Sequence, residues 1–196
     1  MKRGERMEIR IGGTGGQGLI LSAKMLADAL ASSGRRVAQS QTYEPTSRGG
    51  FCNSDLVVSE GEVDYPLATA LDCLVLLDRM AVKPSWPLLK AGALVIADTR
   101  LCPEIPVGDY RAHHLPLSRT AIELGSERVA NIVALGALAA LSGVCERKVL
   151  EQAVRAETPK SFLDLNLDAL ASGYRLGERN TQAPPSSSTS AARLAG

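Results

Sequence analysis

Aromatic side chains make up only 4% of this 196-residue chain, with one tryptophan and two phenylalanines. Little is therefore available for stacking on bases. A formal charge of +1, from 22 basic and 21 acidic residues, leaves no electrostatic signature for a polyanion, so nucleic acid is not an expected partner. Histidine is limited to His113 and His114. In a strand these neighbours point to opposite faces and cannot line one site together. The four cysteines, Cys52, Cys73, Cys102 and Cys145, include no Cys-x-x-Cys pair, so there is no zinc or iron–sulfur motif and no metal site is expected. Without a signal peptide a disulfide framework is not expected either. Long apolar runs are also missing. The longest mostly apolar stretch, Ile132 to Val144, is too short and too rich in Gly and Ala to span a bilayer. Met1 to Arg6 is charged and no apolar segment follows, so export is not indicated. These absences together describe a soluble, reduced, cytoplasmic protein with no membrane partner.

What is present is an alternation of short β runs and helical stretches, the signature of an α/β domain. The length suits one core rather than two. Strands are expected at Met7 to Ile11, Val37 to Thr42, Phe51 to Ser59, Cys73 to Leu77, Ala93 to Ala97 and Tyr110 to Leu115. Helices are expected at Gly18 to Ser33, Ala81 to Lys90, Ser118 to Leu124, Asn131 to Ser142, Arg147 to Arg155 and Phe162 to Gly173. The two runs ending at Asp78 and Asp98 read as strands buried on both faces of a parallel sheet. The fold expected is a Rossmann-like, mostly parallel sheet with helices on both faces. It forms one domain over residues 7–178, followed by a disordered tail over 179–196, where Pro-Pro and a serine run replace bulky apolar residues.

The first strand runs into Gly12-Gly13-Thr14-Gly15-Gly16-Gln17-Gly18. Glycines there permit a tight turn, and the helix that follows offers free N–H groups and a positive dipole to an anion. Three readings are open: close packing of strand on helix, a cofactor phosphate, or a dinucleotide. A nicotinamide site expects an acid at the end of the second strand, where this chain has Gln39-Ser40-Gln41-Thr42. The Gly-Lys-Ser/Thr of a triphosphate loop is absent. A second loop, Tyr43-Glu44-Pro45-Thr46-Ser47-Arg48-Gly49-Gly50, places a permanently charged guanidinium beside two residues without bulk. Arg48 there could face a carboxylate, a phosphate, a subunit interface or simply solvent.

Together the two loops resemble the gamma subunit of 2-oxoacid:ferredoxin oxidoreductases. The resemblance continues through Ser54-Asp55-Leu56-Val57-Val58-Ser59, Asp64-Tyr65-Pro66, Asp72 to Asp78, Lys90 to Ile96, Ala121-x-x-Leu124-Gly125 and Asn131-x-x-x-Leu135-Gly136-Ala137-Leu138. It implies a subunit of an oxygen-sensitive enzyme that decarboxylates a 2-oxoacid oxidatively to an acyl-CoA and passes electrons to ferredoxin. The form of the second loop resembles the 2-oxoglutarate and branched-chain members more than the pyruvate ones; indolepyruvate is a close variant. By the same resemblance, thiamine diphosphate with Mg2+ sits between alpha and beta subunits. The iron–sulfur clusters lie in other subunits, among them a ferredoxin-like delta subunit. One departure is Glu44, where the family commonly has glycine.

No paired carboxylates and no nucleophile–base constellation stand out, so no catalytic residue is assigned. The residues assigned to a cofactor are Gly13, Gly15, Gly16, Gln17, Gly18, Arg48, Gly49 and Gly50, the first loop facing an anion such as a CoA phosphate. Asp78 and Asp98 end strands on the edge where α/β folds bind ligands, and each is expected to cap the following helix or to contact a ribose, with capping favoured. Asn131 is placed to cap its helix or to reach the glycine loop. The rival readings are a stand-alone NAD(P)-binding oxidoreductase and a purely structural interaction module.

Overall fold

The computed structural model describes residues 6–44, 50–61, 63 and 65–181. Its strands are β1 (Met7–Thr14), β2 (Arg36–Tyr43), β3 (Phe51–Ser59), β4 (Leu71–Leu76), β5 (Leu89–Asp98) and β6 (Tyr110–Leu115). They form one sheet in the order β2-β3-β1-β4-β5-β6. β1, β4, β5 and β6 pair in parallel, whereas β3 runs antiparallel to both β1 and β2. The expected mostly parallel α/β sheet is therefore present, with one reversed strand set into it. Apolar runs such as Leu74 to Leu77 and Leu94 to Ala97 are buried throughout, as strands covered on both faces require.

The helices are α1 (Leu19–Ser32), α2 (Val82–Ser85), α3 (Leu117–Glu123), α4 (Ala130–Ser142), α5 (Arg147–Glu157) and α6 (Leu163–Thr181). All but α2 belong to the larger core, with Ile9, Ile11, Val75 and Ile96 of the sheet. The opposite face, with Leu74, Leu76, Val95 and Ala97, is covered by Ala81, Val82, Trp86 and Leu88 from α2 and the short 3-10 turns flanking it. The single helix expected from Ala81 to Lys90 is thus three short pieces, and β5 already begins at Leu89. Pro84 and Pro87 explain this, because each removes a backbone donor and resists the helix interior.

Helix α6 continues past Gly173, where a stop was expected, to Thr181. Its glycines serve a close crossing with α4. A β-carbon at Gly173 would lie 2.0 Å from the Val133 carbonyl oxygen, and one at Gly136 would lie 2.3 Å from the Leu170 carbonyl oxygen. Here glycine is selected by the neighbouring backbone, at a cost of about 1 kcal/mol in helix propensity. Residues 182–196, most of the expected tail, lie outside the described residues.

Two buried charge systems hold the reversed strand and the lower edge of the sheet. Arg10 of β1 stands opposite Asp55 of β3. Its Nε and Nη2 donate to Asp55 Oδ1 and Oδ2 at 2.8 and 2.7 Å. Asn53 Nδ2 adds a third donor to Asp55 at 2.7 Å, and Arg10 Nη1 reaches the Pro84 carbonyl. At the start of β1, Glu8 accepts from the Thr69 and Ala70 amides at 2.5 and 2.7 Å, and from Arg6 Nε at 2.7 Å. These contacts tie the approach to β4 against β1. Burial alone would raise the Glu8 pKa, but the Ala70 and Thr69 amides and Arg6 together hold it below its ordinary value.

Candidate functional site

The connection from β1 leaves through α1 on one face of the sheet, and the connection from β4 leaves through α2 on the other. Chain direction around the sheet therefore changes between two adjacent parallel strands, which opens a crevice at their carboxyl ends. The glycine loop lies there. The extended pairing of β1 with β3 carries Gly12 and Gly13 into the strand, opposite Asn53 and Cys52. The turn itself comprises Gly15, Gly16, Gln17 and Gly18. Gly16 and Gly18 have φ of 91° and 71°, values that disfavour any side chain.

The loop uses several of its own groups to keep its shape. Gln17 Oε1 accepts from the Thr14 amide at 2.8 Å, and Gln17 Nε2 donates to the Leu77 carbonyl at 3.1 Å. The side chain thereby staples the turn to the end of β4. A β-carbon on Gly13 would collide with that Gln17 oxygen at 2.1 Å. Asn131, in the first turn of α4, donates from Nδ2 to the Gly18 carbonyl at 2.9 Å and accepts the Ile132 amide on Oδ1 at 2.9 Å. Of the two roles expected for Asn131, the reach to the glycine loop is fulfilled, whereas the cap is not: Asn131 already lies inside α4, whose N-cap position is Val129. Gly13, Gln17 and Gly18 are thus engaged within the protein.

Gly15 and Gly16 face outward: a β-carbon on either would meet nothing within 4 Å. The Gly15 amide donates to the Gly50 carbonyl at 3.0 Å, so the two glycine-containing loops meet. Phe51 pairs with Thr14, and the Glu44 amide closes the other side of the second loop on the Phe51 carbonyl at 2.9 Å. Gly50 is the one assigned residue of the second loop that the structure places. Arg48 and Gly49, with Pro45 and Asp64 of the sequence motifs, lie outside the described residues.

Gly15, Gly16 and Gln17 form one wall of a cleft of about 310 Å³, closed by Leu77, Leu101 and Ser118 and reached by Arg128. Its far wall depends on Asp98, which is fully buried. Asp98 accepts from the Arg100 and Leu101 amides at 3.0 and 2.8 Å, and from the Ser118 amide and hydroxyl at 2.6 and 2.8 Å. Asp78 caps the 3-10 turn after β4 through the Met80 amide at 2.9 Å. Asp78 therefore performs the expected capping role, whereas Asp98, which no helix directly follows, holds the turn after β5 and the start of α3. Reading the sequence missed Ser118 and Arg128, whose only signal was their closeness to strand ends and helix starts.

Other titratable groups stand apart from this cleft. Burial pushes the Cys73 thiol up to about 12 and Cys102 to about 11, so both are poor nucleophiles. Cys52 is buried in β3 opposite Gly13, its thiol raised by the same cause. His113 is half-buried and His114 exposed. Burial, then Arg111, lowers the His113 pKa. No group of three or more His, Cys, Asp or Glu suited to a metal ion occurs among the described residues. No helix there is long and apolar enough to cross a membrane.

Fold and site define an α/β domain with an open cleft at its switch point, one wall of which is the glycine loop. The family follows from comparison with known proteins. The model for pyruvate ferredoxin/flavodoxin oxidoreductase matches residues 8–176, and the chain belongs to that family. It is 36% identical over 177 residues to the 2-oxoglutarate synthase subunit KorC of Archaeoglobus fulgidus, covering 90% of each chain. Among solved structures it superposes on the gamma subunit of a keto/oxoacid ferredoxin oxidoreductase from Geobacter sulfurreducens with a TM-score of 0.81 and 38% identity, covering 88% of this chain and 97% of that one. It also matches 2-oxoglutarate:ferredoxin oxidoreductase from Magnetococcus marinus, solved with 2-oxoglutarate, coenzyme A and succinyl-CoA bound, with a TM-score of 0.81 and 26% identity. That match covers 92% of this chain and 32% of the other. The resemblance read from the two loops is borne out.

Proposed function

We propose that this chain is the gamma subunit of a 2-oxoacid:ferredoxin oxidoreductase acting on 2-oxoglutarate, which it converts with coenzyme A to succinyl-CoA. The observation that carries this reading is the 36% identity, over 90% of each chain, to a 2-oxoglutarate synthase subunit, together with agreement over 97% of a solved gamma subunit. The enzyme's chemistry belongs to the assembled complex in the cytoplasm. Alpha and beta subunits hold thiamine diphosphate and Mg2+, a ferredoxin-like subunit carries iron–sulfur clusters, and ferredoxin takes the electrons. This chain supports assembly and shapes the CoA entrance.

Within that role the glycine loop is a phosphate cradle whose parts divide the work. Gly13, Gln17 and Gly18 keep its shape, as does the Gly15 amide through its bond to Gly50, while the absence of side chains at Gly15 and Gly16 gives a ligand close access to the Gly16 backbone just before α1. The open space at those two glycines supports the assignment, as does the positive end of α1 behind them. Arg48, with Gly49 and Gly50, is assigned a charged contact to the same ligand; of the three, Gly50 meets the glycine loop, its carbonyl accepting the Gly15 amide.

Anaerobic purification of the tagged chain from its own cells tests the assignment. Alpha and beta subunits should co-elute, and the complex should reduce ferredoxin with 2-oxoglutarate and CoA. A chain recovered alone under those conditions would refute it. In the intact complex Arg48→Ala should raise the KM for CoA or weaken assembly; if it does neither, Arg48 has no such role.

A further inference from the structure

The cleft beside the glycine loop has a neighbour across its far wall. Leu101 also lines a second cavity, of about 640 Å³, bounded by Asp78, Arg79, Arg100 and Glu104 at the carboxyl ends of β4 and β5. Arg100 bridges the two. Its Nε donates at 3.0 Å to the hydroxyl of Ser118, a wall residue of the first cleft. Its Nη2 is bonded to Glu127, another residue of that cleft. Ser118 is in turn fixed by buried Asp98, so the Arg100 guanidinium is held in place rather than swinging in solvent.

Two further guanidinium groups flank it. Arg79 lines the second cavity and Arg128 the first. Both residues are exposed. Among the described residues neither side chain enters a hydrogen bond or ion pair, whereas two of the nearby acids are engaged. Asp78 accepts the Met80 amide and Glu127 is paired with Arg100; Glu104 is the acid left over. The two cavities, neighbours through Leu101, thus offer two unengaged forks and one oriented fork, a pattern suited to an anion with several oxygens. A single phosphate at Gly16 would leave the other phosphates of an extended nucleotide ligand to be met elsewhere.

We propose that Arg79 and Arg128, with Arg100 fixed between them, form a second anion subsite for a phosphate at the nucleotide end of the CoA that meets the glycine loop. The inference rests on the CoA reading above. The test is the intact complex carrying Arg79→Gln and Arg128→Gln together, assayed with CoA and with dephospho-CoA. The double variant should raise the KM for CoA about tenfold or more, with kcat little changed and a shallower dependence of KM on salt. If the ribose phosphate is the group bound, the KM for dephospho-CoA barely moves; if it is the diphosphate, both KM values rise together. Either pattern supports the subsite. An unchanged CoA KM overturns it.

Gly16→Asp in the same complex separates this failure from that of the parent reading. Should Gly16→Asp raise the CoA KM while the arginine variants do not, the second subsite is wrong and the glycine-loop assignment stands. Should none of these variants change it, the CoA reading falls with the subsite.

Discussion

Replacing Gly173 with alanine should destabilise the chain, although helix propensity alone predicts the reverse. Gly173 lies inside α6, where alanine would ordinarily gain about 1 kcal/mol over glycine. The added β-carbon, however, would sit 2.0 Å from the Val133 carbonyl oxygen, 2.9 Å from its carbon and 3.0 Å from the Ala137 amide nitrogen. All three are backbone atoms of α4, so no rotamer change relieves the contact. The helices must separate by about an ångström, and they do so along a seam where Gly136 and Gly177 also meet the opposing backbone. Overpacking a well-filled interior costs typically 1–3 kcal/mol, and a backbone-on-backbone clash lies at or above the top of that range. After the propensity gain, a net loss of about 2 kcal/mol is expected, which is a fall in Tm of about 4–8 °C for a domain of this size. Thermal unfolding of the full chain followed by circular dichroism measures it, with Gly173→Val as a larger step in the same direction. A Tm for Gly173→Ala equal to or above that of the unmodified chain would refute the close crossing.

Glu8→Gln should lower stability at neutral pH, and the deficit should shrink on acidification. The folded-state pKa of Glu8 is depressed below 4.5, so its contribution is complete above the unfolded value and fades as pH falls through the folded one; urea unfolding at pH 7 and near pH 3 compares the two regimes. For the buried pair, Arg10→Met alone should cost about 3–5 kcal/mol because it strands the Asp55 carboxylate. Arg10→Met with Asp55→Leu should recover most of that loss, and chemical denaturation of the three proteins would expose a purely additive result, which would sink the pairing argument.

Sequence reading located the sheet well because its central strands are short apolar runs whose burial depends little on which strand lies beside them. Phe51–Ser59 and Tyr110–Leu115 are the strands expected. It ended β1 too early at Ile11, since glycine is a poor strand former and only the antiparallel partner β3 holds Gly12 and Gly13 extended. It stopped α6 at Gly173 for a related reason: a helical glycine reads as an end unless the opposing backbone is known. Arg10 and Asp55 are separated by 45 positions, and no local pattern announces that they face each other. The outward glycines of the site were legible as a motif. Ser118, Arg100 and Arg128 were not, because they converge only once β5, α3 and the start of α4 are placed around Leu101.

The position of β3 also bears on the choice between a CoA-type anion and a nicotinamide cofactor. In a dinucleotide fold the second parallel strand lies directly beside the first, and an acid at its end reaches the ribose held over the glycine loop. Here β3 occupies that place, and its first residue, Phe51, pairs with Thr14. The β2 strand is displaced outward by one position, so its end at Tyr43 lies two strand spacings, roughly 9–10 Å, from β1. Even an acid placed at Thr42 or Tyr43 would not reproduce the ribose contact. The missing acid in Gln39-Ser40-Gln41-Thr42 is therefore a consequence of topology rather than a lapse from the dinucleotide pattern. What the reversed strand brings to the glycine loop instead is the Gly50 carbonyl just before it, which accepts the Gly15 amide. A substitution meant to build a nicotinamide site, such as Thr42→Asp, should leave the chain without saturable NADH binding by fluorescence titration; measurable binding would show that the displaced strand is no barrier.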